Sequence, residues 1–507
     1  MPKQKQFLRS PRKSSKPKDT IPQTANEFLA AGVDLEEAGE KWRAGDAQKS
    51  ARFFLRALDV YENGLQHFRG SFDLAYNRAR LQYELVQQPR LLPHLPGGKF
   101  DLLRTALNSH RYALEINREN ADLLFNTGQV LTSLGELVCE EQHRHHDAVV
   151  VDPLELFQEA LTFFQQCLSL QELQFSQFDM APQRQSVETD SNATETASKD
   201  VSENPRLLPQ PSDEDTWATI MEPVTEQALM DTLLAQVETL TSICGLSSNR
   251  GISDLNWVDE YYRNSLHDKL LGFAKETGQH HEATLAKAKY RCILADARFT
   301  TTMLDIPTYE KEVMGAYEIF PESDPDPQAL CDRADAEIVF AASVQKVWGQ
   351  VMERGPVEGM PEDVARLSIV RWKHLTKALD NLTLAAKLPK VKNLPRIHLR
   401  RGDCELLRRR LGAAPSNYDI ALKSTSTLLK NAEIYYRGAA RLAQAEAAAD
   451  EETEASVKEA VVVAVSTGEH SKLHKRLDLQ RARAQEIIED MIEEGLLWDE
   501  DMKSFSL

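Results

Sequence analysis

From about Asn26 onward, apolar residues recur three or four positions apart over most of the chain, with charged and polar residues between them. This spacing places the apolar residues on one face of an α-helix, so the pattern predicts a succession of amphipathic helices. The pattern stops at 176–216, where Ser, Thr, Gln, Asp and Pro predominate, and it resumes near Pro223. The chain is therefore predicted to be all-α, with one interruption.

Small and large residues alternate along the predicted helices in an order that repeats. The segment 113–136 crosses a helix-to-helix junction, with Ala113 closing one helix and Gly128 lying where two helices would nearly touch. A small residue lets two backbones approach, and a large neighbour three or four positions away fills the groove beside it. The same order of small and aromatic residues recurs at 45–57 and at 156–167.

These segments resemble the tetratricopeptide repeat (TPR), a pair of antiparallel helices in about 34 residues. The resemblance implies a TPR-like α-solenoid of antiparallel helix pairs, interrupted by a disordered linker and closed by a C-terminal capping helix. About three repeats, stretched by insertions, are expected within 26–175. The residues expected to pack the repeats are Ala38, Trp42, Phe54, Ala57, Ala79, Ala113, Gly128, Ala160 and Phe164.

Composition divides the chain into five predicted segments. Two of them are too poor in apolar residues to offset the entropy lost on ordering, which predicts disorder. In chain order, the segments are a disordered basic tail (1–25), an N-terminal TPR array (26–175), a disordered acidic Ser/Thr-rich linker (176–216), a degenerate TPR-like array (217–445) and an acidic helical extension (446–507).

Two features of the C-terminal half have competing interpretations. The tripeptide Arg-Gly-Asp at 401–403 lies inside a predicted helix, where its glycine is most simply a helix-crossing residue. The segment 484–498 carries an apolar helical stripe at Ile487, Ile488, Met491 and Ile492. This stripe is expected either to cap the solenoid or, together with residues 498–501, to dock a partner.

Charge is segregated along the chain. The 507 residues carry a formal charge of −18, yet residues 1–18 contain seven Lys or Arg and no acid, so the remainder carries −25. An acidic body repels nucleic acid and anionic membranes and favours basic partners. The basic tail is interpreted as a nuclear import signal, a nucleic-acid-binding arm or a solubilising tail. The first interpretation predicts a protein of the nucleus and cytoplasm, and no apolar run approaches the ~18 residues of a membrane span.

The sequence offers little catalytic chemistry. Its six cysteines lie far apart, and it contains no phosphate-binding glycine loop, nucleophile elbow or HExxH helix. We therefore expect no catalytic residue, cofactor or metal, and a binding protein and not an enzyme. The cluster of His143, His145 and His146 with Asp147 could bind a transition metal, but a solvated polar loop is the simpler interpretation.

The TPR resemblance also selects candidate binding residues, because TPR proteins bind peptides in a groove lined by the first helix of each repeat. One TPR subset clamps the C-terminal carboxylate of heat-shock chaperones with Lys and Asn, but the first repeat has Leu35 and Gly39 at those places. The clamp is therefore incomplete, and an acidic groove would favour a Lys/Arg-rich protein segment. The groove candidates are Asn77, Arg80, Asn126 and Gln129.

Three functions are compatible with these features. The first is a TPR adaptor or dedicated chaperone for a basic client of the ribosomal or histone type. The second is a structural subunit of a larger nuclear or cytoplasmic complex, and the third is a heat-shock co-chaperone or an RNA-processing factor. RNA binding by the body would require a basic face, so contact with nucleic acid is expected only through the N-terminal tail.

Overall fold

The computed structural model describes residues 22–144, 151–179, 224–250, 255–321, 323–353, 360–389, 391–446, 448–498 and 501. Every regular element within these ranges is helical, so the all-α prediction is confirmed. Three predicted features lie outside the described residues, namely the basic tail as far as residue 21, the linker from residue 180 onward, and the polar cluster at His145, His146 and Asp147.

Eighteen α-helices are described, and a π-helical turn at Tyr262–Leu266 joins two of them. None within the described ranges combines the length and apolar character needed to cross a membrane. They are α1 (Ala25–Arg43), α2 (Ala47–His67), α3 (Phe72–Val86), α4 (Lys99–Ile116), α5 (Ala121–Arg144), α6 (Pro153–Asp179), α7 (Glu226–Arg250), α8 (Asn256–Tyr261), α9 (His267–Thr277), α10 (His280–Thr300), α11 (Ile306–Ala316), α12 (Pro327–Glu353), α13 (Met360–Ala385), α14 (Leu394–Arg410), α15 (Asp419–Glu446), α16 (Ala449–Thr467), α17 (Ser471–Leu479) and α18 (Arg481–Glu493).

Local sequence signals explain where several helices begin. Thr24 caps α1, because its Oγ1 accepts a hydrogen bond from the Glu27 backbone N–H while the Glu27 carboxylate accepts one from the Thr24 N–H. Asp46 and Asp305 cap α2 and α11, each accepting from a backbone N–H three residues later at 2.8 and 2.9 Å. These caps satisfy backbone donors that have no partner inside the helix.

The chain forms two compact units. Unit 1 comprises residues 1–235 and 273–278, and unit 2 comprises residues 236–272 and 279–507. Helices α1 to α6 therefore belong to unit 1, and α10 to α18 belong to unit 2. Each unit is described separately below.

Helices α1 and α2 pack antiparallel around two glycines. A Cβ on Gly39 would lie 2.9 Å from the Phe54 ring, and a Cβ on Gly32 would overlap the Tyr61 ring. Gly39, near the end of α1, contacts Phe54 near the start of α2, whereas the earlier Gly32 contacts the later Tyr61. The two helices therefore run in opposite directions. The absence of a side chain at these glycines lets each aromatic ring lie against the backbone of α1.

Helices α5 and α6 repeat this arrangement. A Cβ on Gly128 would lie 2.6 Å from the Phe164 ring, and one on Gly135 would lie 2.7 Å from the Phe157 ring. The earlier glycine of α5 contacts the later phenylalanine of α6, and the later glycine contacts the earlier one, so this pair is also antiparallel. The predicted packing residues Gly128 and Phe164 thus mark the close approach of this helix pair.

Most of the predicted packing residues are buried, but α1 requires a correction. Ala38 is only half-buried, because Gly39 is the residue that faces α2, about 100° further around the helix. Trp42 is 40% exposed and lies in the last turn of α1, with the Lys49 ammonium 3.2 Å from its ring centroid. The predicted register of α1 is therefore wrong. The buried members are Phe54, Ala57, Ala79, Ala113, Gly128, Ala160 and Phe164.

His110 is a buried histidine in α4 that must stay neutral. Its Nδ1 lies 2.8 Å from the Ala106 carbonyl oxygen, and its Nε2 is buried with no hydrogen-bond partner among the described residues. Burial lowers the pKa of His110 to about 4, although the bond to Ala106 opposes this change. The unfolded chain, with an ordinary histidine pKa near 6.5, binds this proton more readily than the folded chain.

We expect the stability of unit 1 to fall as the pH falls from about 6.5 to about 4, because protonation of His110 then favours the unfolded chain. The contribution is roughly 3 kcal/mol when complete. His110→Phe, which keeps a ring of similar size, should remove this part of the pH dependence in denaturant titrations at pH 7, 5 and 4. His94→Phe, which replaces an exposed histidine, is the control, and parallel wild-type and H110F profiles would contradict the expectation.

Unit 2 also contains antiparallel helix pairs. Glu337 of α12 contacts His374 of α13, whereas the Ala341 carbonyl, further along α12, accepts a hydrogen bond from Arg371 Nε, earlier in α13, at 2.9 Å. A buried core extends from α12 through α16 to α18. Both units therefore contain antiparallel pairs of neighbouring helices, which confirms the α-solenoid prediction at this level.

Helices α14 and α15 of unit 2 approach each other closely at a glycine. A Cβ on Gly402 would lie 2.7 Å from Tyr436 Cζ, and the Tyr436 hydroxyl donates to Asp403 Oδ1 at 2.8 Å. Further along, Asn431 donates to the Glu405 carboxylate at 2.9 Å. The residues 401–403 thus lie where the sequence places a helix crossing, and they do not form an exposed recognition loop.

The segment after α17 completes unit 2. The apolar stripe of α18 is buried in the core at Ile487, Ile488 and Met491. Beyond α18, the Asp501 carboxylate accepts two hydrogen bonds from Arg409, at 2.5 and 3.1 Å, and the Arg409 guanidinium lies 3.9 Å from the centroid of the Trp498 ring. The segment caps the unit as predicted. Ile492, the fourth residue of the predicted stripe, is 39% exposed, and docking of a partner at this segment stays a prediction.

Candidate protein-binding face

In unit 1, the first helices of successive pairs lie side by side and parallel. Glu36 of α1 contacts Arg80 of α3, and Arg43, further along α1, contacts Glu84, further along α3. The two helices therefore run in the same direction. Tyr83 of α3 contacts Gln129 of α5, and Gln87, which follows α3, contacts Ser133 further along α5, so α3 and α5 are also parallel. We call the surface formed by α1, α3 and α5 the first-helix face. It is the surface on which the sequence places the groove candidates.

An ion-pair network joins α1 and α3 across this face. Arg80 pairs with Glu36 at 2.5 Å and with Glu84 at 2.9 Å. Arg43 pairs with Glu40 at 2.8 Å and with Glu84 at 3.6 Å. Three carboxylates therefore share two guanidinium groups, so acids outnumber bases in the network.

Burial and the closeness of the carboxylates to one another shift the pKa values of two groups in and beside the network. Burial raises the pKa of Glu84, and the neighbouring Glu36 and Glu40 carboxylates raise it further against the lowering effect of Arg80 and Arg43. The Tyr61 hydroxyl donates to Glu36 at 2.5 Å, and burial with the adjacent carboxylate raises the pKa of Tyr61 well above its usual range. A further cation at this face would relieve the repulsion among the carboxylates.

The four predicted groove residues have different surroundings. Asn77 is 8% exposed, and its Nδ2 donates to the Asp73 carbonyl at 2.8 Å, so it is occupied within α3. Arg80 Nη2 lies 3.5 Å from Asn77 Oδ1, which brings these two candidates together. Asn126 and Gln129 of α5 are half-buried, and the Gln129 carbonyl accepts a hydrogen bond from Tyr83 at 3.2 Å.

The sequence interpretation missed the acidic partners of Arg80. A signal for part of the network is present, because Glu36 and Glu40 are four residues apart, as are Arg80 and Glu84, and residues at this spacing lie on one helix face. The pairing of Glu36 with Arg80 spans 44 residues and has no such local signal. The face is therefore more acidic than the four candidates alone indicate.

Cysteine chemistry is suppressed by burial. Desolvation raises the pKa of Cys167, Cys244, Cys292 and Cys331 to about 12 in each case. These thiols are therefore protonated at neutral pH and are weak nucleophiles. Among the described residues, no group of His, Cys, Asp and Glu side chains has the geometry to hold a metal ion.

Comparisons with known proteins identify relatives of this chain. A Schizosaccharomyces pombe protein described as UPF0656 protein C926.02 is 26% identical over 459 residues, which cover 85% of this chain and 86% of that protein. A Saccharomyces cerevisiae protein described as uncharacterized protein YNL193W is 36% identical over 81 residues, or 15% of this chain and 14% of that protein. No protein-family model matches the chain.

Among solved structures, the chain is similar to a circular tandem repeat protein described as having a novel repeat topology and enhanced subunit contact surfaces. The match covers 93% of this chain and 99% of the other, with 13% sequence identity and a TM-score of 0.25. The helical pairing described above rests on the contacts of this chain itself.

Proposed function

We propose that this chain is a non-enzymatic TPR-type scaffold of the nucleus and cytoplasm that binds a Lys/Arg-rich segment of a protein client at the first-helix face. The parallel alignment of α1, α3 and α5 supports the TPR assignment, because the first helices of TPR repeats line the binding groove. The acidic body, with a charge of −25 outside residues 1–18, supports a basic client.

The observation that carries this proposal is that both arginines of the network are already paired with carboxylates of the protein itself. Arg80 and Arg43 each make two ion pairs with carboxylates of α1 and α3. An acidic ligand would have to displace these carboxylates, which would then be left partly buried without a cation. A basic ligand would instead add a cation to a network that already has an excess of carboxylates.

The same observation separates this proposal from a heat-shock co-chaperone function. A carboxylate clamp needs several convergent cations and amide donors that are available to the ligand. Here Asn77 bonds its own helix, and Arg80 is held by Glu36 and Glu84. We therefore favour a basic segment over a C-terminal carboxylate as the ligand of this face.

Titration of a fluorescent Lys/Arg-rich peptide with the full chain tests the proposal. We expect binding at low salt that weakens as salt rises, and no binding of an acidic peptide of the same length. Glu40→Gln combined with Glu84→Gln should lower the affinity about tenfold, because it removes two of the charges that attract the peptide. Fluorescence anisotropy measures both affinities.

The matched control removes the same charge elsewhere in unit 1. Glu115 and Glu119 are exposed residues in and after α4. The Glu115→Gln, Glu119→Gln variant should retain the wild-type affinity apart from a small effect of net charge. Equal losses in the two double variants, or preferential binding of the acidic peptide, would refute a specific basic-segment site on the first-helix face.

A further inference from the structure

Unit 2 contains a small cavity, and none of its lining residues belongs to the first-helix face. It has a volume of about 110 Å³ and opens to solvent. Its walls come from the second half of α12, the first half of α13, the end of α14 and the connection that follows α14. All of its lining residues lie within the described part of the chain.

A buried arginine forms one wall of the cavity. Arg371 is 6% exposed, its Nε donates to the Ala341 carbonyl at 2.9 Å, and its Nη2 donates to the Gln345 side chain. Both acceptors are neutral, and within the described ranges no carboxylate pairs with Arg371. A guanidinium in this position is costly unless an anion compensates its charge, since arginine remains protonated.

A second cation and an unused donor face the same space. Arg410 also lines the cavity, and its Nη1 donates a hydrogen bond to the Ala414 carbonyl at 3.0 Å. Burial, with the nearby Arg410 guanidinium as the smaller cause, lowers the pKa of Arg371 to about 10. Trp348 contributes an indole Nε1–H that is buried with no hydrogen-bond acceptor among the described residues. Two repelling guanidinium groups and an orphan N–H donor together favour an anionic, acceptor-rich ligand.

The rest of the wall is largely apolar. Val344, Val364, Leu367 and Pro415 line the cavity beside the Trp348 ring. A hydrated inorganic anion would make no apolar contact with these side chains. An anion attached to a short hydrocarbon group would pack against them and displace water from the cavity. The planar guanidinium groups match a carboxylate in size and hydrogen-bond geometry.

We propose that this cavity binds a carboxylate carried on a short apolar group, with Arg371 and Arg410 pairing the carboxylate while Trp348 and Leu367 contact the apolar part. Such a ligand is either a free short-chain carboxylic acid or the C-terminal residue of a peptide. The site is independent of the basic-segment site in unit 1, so failure of either proposal leaves the other standing.

Fluorine NMR of the full chain labelled with 5-fluorotryptophan tests this proposal, with Trp348→Phe used to assign the Trp348 resonance. Isovalerate represents the free acid, N-acetylvaline represents a peptide end, and isovaleramide is an uncharged isostere. We expect one or both acids to shift the Trp348 resonance in a saturable manner, and the amide to leave it unchanged. The acid with the higher affinity identifies the source of the ligand.

Matched variants locate the site. Arg410→Gln should weaken acid binding about tenfold, and we choose it over a change at Arg371 because Arg371 holds α12 to α13. Arg366→Gln removes an exposed arginine of α13 that does not line the cavity, and it should leave the affinity unchanged. Unchanged resonances of the tryptophans remote from the cavity show that R410Q is folded.

Three results would overturn the proposal. They are the absence of any saturable shift with both acids, equal binding of acid and amide, and binding of inorganic phosphate as tightly as the acids. The first two would exclude a carboxylate site, and the third would assign the cavity to inorganic anions.

Discussion

Replacing Lys458 by methionine should lower the free energy of unfolding of unit 2 by about 3 to 5 kcal/mol. Lys458 Nζ lies 3.0 Å from Asp403 Oδ1 and 3.0 Å from Glu454 Oε1, and the Lys458 and Asp403 side chains are only 4% and 5% exposed. Without the ammonium group, the buried Asp403 carboxylate loses its main cation. Denaturant unfolding followed by circular dichroism measures the loss.

The pH dependence of this loss has a definite sign. Burial acts to raise the pKa of Asp403, but Lys458 and Arg400 outweigh it and hold the pKa below its usual range. The pairing therefore stabilises the folded chain above about pH 4 and is lost as the pH falls through the folded pKa. In the variant, Asp403 protonates more readily, so the gap between wild type and K458M should narrow as the medium becomes acidic.

Two controls accompany K458M. Lys423 makes an exposed pair with Asp419, and Lys423→Met should change stability by less than about 1 kcal/mol. Combining K458M with Asp403→Asn should recover part of the lost stability, because no unpaired buried carboxylate then remains and the asparagine side-chain oxygen still accepts the hydrogen bond from Tyr436. A loss from K458M no larger than that from K423M would mean that the pair is not a buried ion pair in solution.

Replacing Gly402 by alanine should destabilise unit 2 by about 2 to 3 kcal/mol, even though alanine is the better helix former. The new Cβ would lie 2.7 Å from Tyr436 Cζ, and the ring has no free space because Tyr436 is fully buried and its hydroxyl donates to Asp403. The helices α14 and α15 would have to separate. Denaturant titration again measures the effect.

A second glycine of unit 2 provides the control for G402A. Gly245 lies inside α7, and a Cβ there would meet no atom within 4 Å. Gly245→Ala should therefore raise stability by roughly 0.5 to 1 kcal/mol through helix propensity alone. If both substitutions stabilise the protein, Gly402 does not mark a tight crossing of α14 and α15.

Periodicity predicted the helices well because each helix must bury an apolar face, and the small-residue positions identified crossings such as those at Gly128 and Gly402. The failure at Trp42 has a simple cause. Gly39 and Ala38 are both small, so composition alone cannot decide which of the two faces α2. A single-residue choice rotates the helix by about 100° and moves the tryptophan to the surface.

The polar contacts could not be predicted in this way. Helix α14 carries six arginines, a composition typical of a solvated helix, yet much of it is buried. Arg409 is paired with Asp501, and the Arg408 guanidinium lies 4.1 Å from the Trp372 ring centroid. These partners are far apart in sequence, and charge patterns do not specify them. For the same reason, Arg371 and its cavity gave no signal in the sequence.

The clamp between Arg409 and Asp501 also affects how unit 2 is made in the cell. The two residues are 92 positions apart. At roughly 5 to 20 residues per second of synthesis, Arg409 precedes its carboxylate partner by about 5 to 20 s. During that interval the Arg409 guanidinium of α14 has to remain without the carboxylate that pairs with it in the folded chain. By contrast, the antiparallel pairs α1/α2 and α5/α6 of unit 1 join helices that follow one another in the chain. Each pair can therefore form soon after its second helix emerges from the ribosome.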